Sequence, residues 1–388
     1  MKTAAAAVDI PMKIAVLNRV FATTGGGAES YSIALVEQLA QRHEVHVFAQ
    51  QIDHAWPGVT YHRISCPMAK PRWVNQLWYA LATWRATRHG FDVVHSHENT
   101  WHGQVQTIHV KPVRLNLMVG RTGLRRVLAW LKIALSPRLI TYVALEAARY
   151  RMRPGQQVVV TSQNLRAEVL QAYPHAEPLM SVVTPGVKMP GPGPDKAEAR
   201  RLLCLPGQGS LLLFVANDYA RKGLDGLLQA LAGLPAEVSL AVVGNAAGIA
   251  PFKARAQALG VDDRVHFLGS LKSVDPAYRS ADVLVHPTLE DTFAMVVLEA
   301  MAHGLPVVVS GPACCGISGL LTHGQEALLL DDPRDANAIK SALTRVLGDP
   351  ALAASLGAAA RCFAQDHSWQ SAARAYEQLY QRSLTPPA

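Results

Sequence analysis

DVLVHPTLEDTFAMVVLEAMAHGLPVVVS (282–310) carries the strongest local signal in the chain. It opens on one short apolar run, DVLVHPT (282–288), and closes on another, PVVVS (306–310). Both are continuous rather than alternating, as expected of strands covered on both faces. Between them, Met295, Val296, Val297, Leu298, Ala300 and Met301 form a segment that is apolar nearly all round, and a helix of that kind is buried. The spacing predicts a helix from about Phe293 to His303, capped by Thr292 and ended by Gly304 and Pro306. Strand, buried helix and strand in that order make a right-handed parallel crossover.

The same rhythm runs outward in both directions. Upstream lie SLLLFVAN (210–217), VSLAVVGN (238–245) and RVHFLGS (264–270), with helical stretches between them. Further back, KIAVLN (13–18), EVHVFA (44–49), DVVHSH (92–97), QTIHV (106–110) and QVVVTS (157–162) repeat the pattern. The stretch MPGPGP (189–194) between the two series marks a hinge or linker. The expected architecture is therefore α/β, with two Rossmann-like doubly wound domains over residues 12–188 and 189–367. Residues 1–11 read as a loose leader, and no uninterrupted apolar run reaches the roughly eighteen residues of a membrane span.

Composition narrows the function classes. The five cysteines (Cys66, Cys204, Cys314, Cys315 and Cys362) show no C-x-x-C spacing, which argues for reduced, buried thiols in the cytoplasm and against a zinc site. The net charge of +8 is concentrated: residues 111–153 hold ten Lys or Arg and one acid, Glu146, so the rest of the chain sums to about −1. No nucleic-acid motif or stacking-aromatic signature accompanies that charge, so nucleic acid is not the expected partner.

In doubly wound sheets ligands bind beyond the carboxyl ends of the strands. Two such segments carry chemistry. Glu299 lies in the middle of the buried helix, and a buried carboxylate needs a partner. Two sugar hydroxyls suit it; a salt bridge to a neighbouring Arg or Lys is the plain alternative. The start of that helix, with its free N–H groups and dipole, favours a phosphate. In NDYARKGLDGLLQAL (217–231), Arg221 and Lys222 precede Gly223, which allows a tight turn. Two cations there can hold a pyrophosphate and stabilise a departing diphosphate.

Asp291, eight residues before Glu299, resembles the first position of the E-x(7)-E element of family 4 glycosyltransferases. Arg221, Lys222 and Gly223 resemble that family's R-K-G element. The resemblance extends from Lys13 to the C-terminal helices and is closest to bacterial lipopolysaccharide-core glucosyltransferases. It implies the GT-B fold, two domains facing across a cleft, and a nucleotide-sugar donor, UDP-linked, as substrate with no cofactor. It implies that Glu299 binds the ribose, that Arg221 and Lys222 bind the diphosphate, and that Asp291 and the backbone of Phe293, Ala294 and Met295 meet the donor sugar. Retention of configuration and a C-terminal helix (368–384) packed back on the first domain are further implications. Two positions depart from the pattern: Asp291 stands where Glu is common, and Gly319 stands where many relatives carry Glu in the pattern begun by Gly316.

In the first half, FATTGGGAES (21–30) is a glycine loop in which Gly26 and Gly27 allow close backbone approach to a ligand; a plain tight turn is the alternative. In similar enzymes this loop faces the donor diphosphate. His95, His97 and His109 end strands, and His109 matches a family histidine that contacts the donor sugar or acceptor region. No D-x-D appears, and the helix dipole with Arg221 and Lys222 supplies positive charge, so no essential metal is expected. RTGLRRVLAWLKIAL (121–135) places Leu124, Val127, Leu128, Leu131 and Leu135 on one helical face, beside Arg121, Arg125, Lys132 and Trp130. Such a helix can lie on an anionic membrane surface and suits an anionic glycolipid or saccharide acceptor; an amphipathic core helix is the alternative. The expectation is a cytoplasmic enzyme held peripherally at the inner membrane. A sugar-nucleotide epimerase of the same architecture and a non-catalytic basic module are the rival readings.

Overall fold

The computed structural model describes residues 11–22, 27–68 and 70–384. They divide into two compact units. One holds the chain up to Thr161, Leu165–Thr184 and the helix Trp369–Leu384; the other holds Ser162–Asn164 and Pro185–Ser368.

The first unit contains β1 (Lys13–Leu17), β2 (Val20–Ala22), β3 (Glu44–Ala49), β4 (Gln51–Asp53), β5 (Val59–Arg63), β6 (Val93–Ser96), β7 (Val105–Ile108), β8 (Gln157–Val160) and β9 (Met180–Val182). Seven of these form a sheet in the order β5-β3-β1-β6-β7-β8-β9, with every pair parallel; β2 and β4 pair separately. In β1, Ile14 and Val16 enter one core and Ala15 and Leu17 the other, which is why the strand is a continuous apolar run. The C-terminal helix lies in this unit. Its Ala372, Ala373, Tyr376, Leu379 and Tyr380 are buried, and Tyr376 meets the Tyr31 hydroxyl at 2.8 Å.

The second unit contains β10 (Ser210–Ala216), β11 (Val238–Gly244), β12 (Val265–Gly269), β13 (Val283–His286), β14 (Val307–Ser310) and β15 (Leu328–Leu330), in the all-parallel order β12-β11-β10-β13-β14-β15. Leu211, Leu213 and Val215 of β10 face one core, and Leu212, Phe214 and Ala216 the other. In each unit the strand order reverses once, between β1 and β6 and between β10 and β13. A crevice opens at such reversals because successive crossovers leave to opposite sides.

Five strands were not foreseen: β2 and β4, three residues each and paired outside the main sheet, and β5, β9 and β15. β5 lies at a sheet edge with no residue fully buried, so it lacks an apolar run, and β9 and β15 are only three residues long. The MPGPGP stretch lies inside the second unit and not between units, because Arg279 donates to the Gly191 carbonyl at 2.6 Å and packs against Gly193. The thiol expectation fails in part: Cys66, Cys204 and Cys362 are exposed, and only Cys315 is fully buried.

Candidate functional site

The reversal in the second unit brings together the two segments singled out in the sequence. The loop after β10 carries Arg221, Lys222 and Gly223; the loop after β13 carries Glu290 and Asp291. Lys222 Nζ donates to Asp291 Oδ2 at 2.6 Å and to the Glu290 carbonyl at 2.9 Å. Arg221 Nη2 pairs with Glu290 Oε1 at 2.9 Å and is half exposed, so Glu290, one residue early for the motif, has a partner of its own. Gly223 makes the approach possible. Its φ is +81°, and a Cβ there would stand 2.0 Å from the Pro287 carbonyl oxygen.

Asp291 differs from its sequence reading. Its Oδ1 accepts from the backbone N–H of Phe293 at 3.2 Å and of Ala294 at 2.9 Å, while Oδ2 takes Lys222 and, at 3.2 Å, His286 Nε2. Burial alone would raise its pKa, but His286 and Lys222 outweigh burial and hold the carboxyl well below the ordinary range. The carboxylate therefore ties the loop and Lys222 together, and two of the three backbone N–H groups expected to meet a sugar are already bonded to it. The helix is also shorter than expected, Met295–Ala302, and Thr292 does not cap it. Ala294 takes the N-cap position at φ 75° and ψ 71°, a left-handed conformation that is costly for a residue with a Cβ. Asp291 holds it there by accepting its N–H.

Glu299 follows Met295 by one helical turn, about 6 Å of rise. Among the described residues no Arg or Lys pairs with it. Instead Oε2 accepts from the buried Tyr278 hydroxyl at 2.6 Å, and the residue lines a cleft of about 440 Å³ with Lys188, Ser273, Asp275 and His303. Burial pushes its carboxyl up, with Tyr278 and His303 opposing. His303 packs on the Tyr278 ring and bonds Asp275 Oδ1 at 2.8 Å, which fixes the tyrosine. The salt-bridge alternative for Glu299 is thereby removed, and the carboxylate keeps hydrogen-bonding capacity toward the cleft.

Sequence reasoning missed three features here. His286 was legible, since it ends β13; its Nδ1 is buried without a partner. The turn at Cys315 and Gly316 bridges to Asp291, and a Cβ on Gly316 would stand 2.0 Å from the Thr292 carbonyl oxygen. Tyr278 carries no local signal, because only the fold sets it against Glu299.

In the first unit, His97 and His109 lie just beyond the carboxyl ends of β6 and β7. His97 Nδ1 and His109 Nε2 are 3.1 Å apart, with the rings stacked. Burial, with help from Arg149, pushes His109 down to about 4, and burial and its charged neighbours also lower His97. His95 is structural: its two nitrogens meet Tyr380 Oη at 2.7 Å and Thr107 Oγ1 at 2.8 Å. Gly26 lies outside the described residues. Gly27 opens the helix Gly27–Leu39, and a Cβ there would meet nothing within 4 Å among the described residues.

The basic segment forms the helices Gly123–Ala134 and Pro137–Arg149. The first buries only Ala129 and Ile133. The expected apolar face points away from the core: Leu124 is 73% exposed, Leu135 82%, and Val127, Leu128 and Leu131 about half, as is Trp130. Arg121, Arg125 and Lys132 are exposed as well. No single helix is long and apolar enough to cross a membrane among the described residues. Arg149 is an exception within the segment, buried against the Gln106 side chain at 2.9 Å.

Residues 25–189 match the family described as Glycosyltransferase Family 4, and residues 195–363 match Glycosyl transferases group 1. The chain belongs to the family 4 glycosyltransferases. It is similar to the D-inositol 3-phosphate glycosyltransferase of Xylanimonas cellulosilytica, at 33% identity over 245 residues, 58% of each chain. It is similar also to the lipopolysaccharide glucosyltransferase WaaG of Escherichia coli, at 28% identity over 222 residues, 55% of this chain and 59% of that one. In both cases the match spans less than two thirds of the relative's length. The crystal structure of WaaG superimposes with a TM-score of 0.79 at 22% identity, covering 95% of this chain and 99% of that one. Anabaena HepE in complex with UDP and glucose gives 0.72 at 19%, again covering 95% and 99%. These likenesses establish the GT-B fold for this family 4 member.

Proposed function

We propose that this family 4 glycosyltransferase moves a hexose from a UDP-sugar to a hydroxyl of an anionic, lipid-linked or lipopolysaccharide-core saccharide, with retention and without an essential metal. The observation that carries this reading is Glu299 in the cleft of about 440 Å³, on the helix whose start follows the loop that holds the Lys222–Asp291 pair. That spacing suits a ribose on the carboxylate and a diphosphate at Lys222, Arg221 and the helix start. The UDP and glucose held by HepE support the same donor class. Asp291 acts through Lys222 and the loop, while Met295 offers its N–H to the donor. His109, held neutral by burial, serves as a hydrogen-bonding contact near the transferred sugar. The anionic acceptors in the names of the two relatives, an inositol phosphate and a lipopolysaccharide, favour an anionic acceptor here.

The test is turnover of UDP-, GDP- and ADP-sugars with lipopolysaccharide-core oligosaccharide or inositol phosphate as acceptor. One UDP-sugar should be consumed, and Glu299→Ala should lower kcat/KM about a hundredfold, mainly through KM. Failure of every donor with both acceptors would sink the reading.

Membrane association at the cytoplasmic face of the inner membrane is part of the proposal, supported by the exposed stripe on Gly123–Ala134 flanked by Arg125 and Lys132. Changing Val127, Leu128 and Leu131 together to serine should weaken sedimentation with phosphatidylglycerol-containing vesicles at least about tenfold. Sedimentation equal to wild type would remove the membrane from the account.

A further inference from the structure

The first unit carries a second cavity, of about 300 Å³, at the amino-terminal end of its sheet. This is the opposite end from the strand termini followed by His97 and His109. Its walls are Trp84 and Arg88 at the end of the helix Arg72–Thr87, His102 and Gly103 before β7, and Arg153 and Gln156 before β8.

Three observations single it out. Both ring nitrogens of His102 are buried, and neither has a partner among the described residues. Two orphaned nitrogens on one buried ring are unusual, because such groups are nearly always hydrogen-bonded. The backbone that carries the ring is held in place: the His102 carbonyl accepts from Thr100 Oγ1 at 2.9 Å and Gln106 Nε2 at 3.3 Å, and Gly103 turns the chain at φ +109°. Burial, then Arg153, pushes His102 down to about 4, so the ring is neutral and offers one donor and one acceptor.

The second observation is charge. Arg88 and Arg153 line the cavity, no acidic residue does, and neither guanidinium has a carboxylate partner among the described residues. Arg88 lies over the Trp84 ring at 5.7 Å, and Arg153 Nη1 donates to the Trp101 carbonyl at 2.6 Å. Both cations are thus positioned by neutral groups. The third observation is the room, enough for a small molecule.

We propose that this cavity binds a phosphate monoester carried on a short polyol, the phosphate between Arg88 and Arg153 and a hydroxyl on the His102 ring. Two guanidinium forks match phosphate oxygens, and a neutral imidazole matches a hydroxyl, which both donates and accepts. The same chemistry is found in a lipid headgroup and in a free sugar or polyol phosphate.

Isothermal titration of the full-length protein with glycerol phosphate near neutral pH tests the site. Saturable binding is expected, weakened about tenfold or more in Arg88→Ala and in Arg153→Ala, and unchanged in Lys222→Ala, which lies in the other unit. His102→Gln, which keeps a donor and an acceptor, should retain binding, and His102→Phe should lose it. Each variant is compared only where its melting curve matches wild type; Arg153→Lys, which keeps the charge and loses the fork, serves where Arg153→Ala does not fold. Absence of saturable binding in the wild type, or equal binding in both arginine variants, overturns the proposal. Vesicles with and without phosphatidate separate the sources. Release from phosphatidate vesicles by glycerol phosphate assigns the site to a headgroup; binding of glycerol phosphate without such release assigns it to a soluble ligand.

Discussion

Lys222→Ala is expected to lower kcat/KM for sugar transfer by about 10²–10³, the loss seen when one preorganised charge at a transition state is removed. The ammonium is only 20% exposed and bonds both Asp291 Oδ2 and the Glu290 carbonyl, so its position is fixed before any donor arrives. A fixed cation stabilises developing charge on a departing diphosphate more than charge that is already present, so kcat should fall along with kcat/KM. Two contrasts sharpen the expectation. Arg221→Ala should cost much less, about tenfold, because that guanidinium is 50% exposed and pairs with Glu290 at the surface. Lys222→Arg should fail almost as badly as alanine, since a planar fork does not fit where one nitrogen must meet a carbonyl and a carboxylate at once. Lys222→Ala also leaves His286 as the one side chain bonded to Asp291 among the described residues, so the carboxyl should titrate higher than in the wild type. A thermal melt separates the effects: a modest stability loss of about 1–3 kcal/mol leaves the variant folded, and activity is then read on folded protein. Wild-type kcat in Lys222→Ala would refute the diphosphate role.

The order in which sequence yielded structure follows from what each feature depends on. Parallel strands buried on both faces must be apolar throughout, so β1, β3, β6, β10, β11, β13 and β14 were legible to within a residue or two. β5 was not, because an edge strand with five partly or fully exposed residues has no such requirement. Glu299 and Lys222 stood out because charges beside buried runs are rare, and Asp291 through its eight-residue spacing from Glu299 in the family resemblance, but the partners of all three were not legible. That Glu299 meets Tyr278 and not a cation is set by the packing of a helix twenty-one residues away in sequence. The helix start was misplaced because Thr292 is a good cap by type, whereas Asp291 reaches two N–H groups and forces Ala294 into a left-handed conformation that alanine does not advertise. The stripe from Leu124 to Leu135 was found by periodicity, but periodicity is blind to which face meets the core. Ala129 and Ile133 occupy the inner face, and two residues give a weaker periodic signal than the five of the outer stripe.

Gly223→Ala should be among the most damaging single methyls in the second unit. At φ +81° any residue with a Cβ carries a cost of about 1–2 kcal/mol before packing is considered. Packing then decides the matter. The added carbon would stand 2.0 Å from the Pro287 carbonyl oxygen and 2.9 Å from its carbon, and both are backbone atoms that cannot rotate away. The loop after β10 would have to lift off the loop after β13, and the Lys222–Asp291 bond of 2.6 Å spans that same contact. A total loss of roughly 3–5 kcal/mol is expected, together with loss of donor binding in whatever fraction stays folded. Gly319→Ala is the control in the same unit: a Cβ there meets nothing within 4 Å, so stability should change by less than about 1 kcal/mol. Urea unfolding of both variants measures the difference. If Gly223→Ala unfolded at the same midpoint as Gly319→Ala, the two loops would not be in contact as described, and the placement of Lys222 beside Asp291 would lose its structural basis.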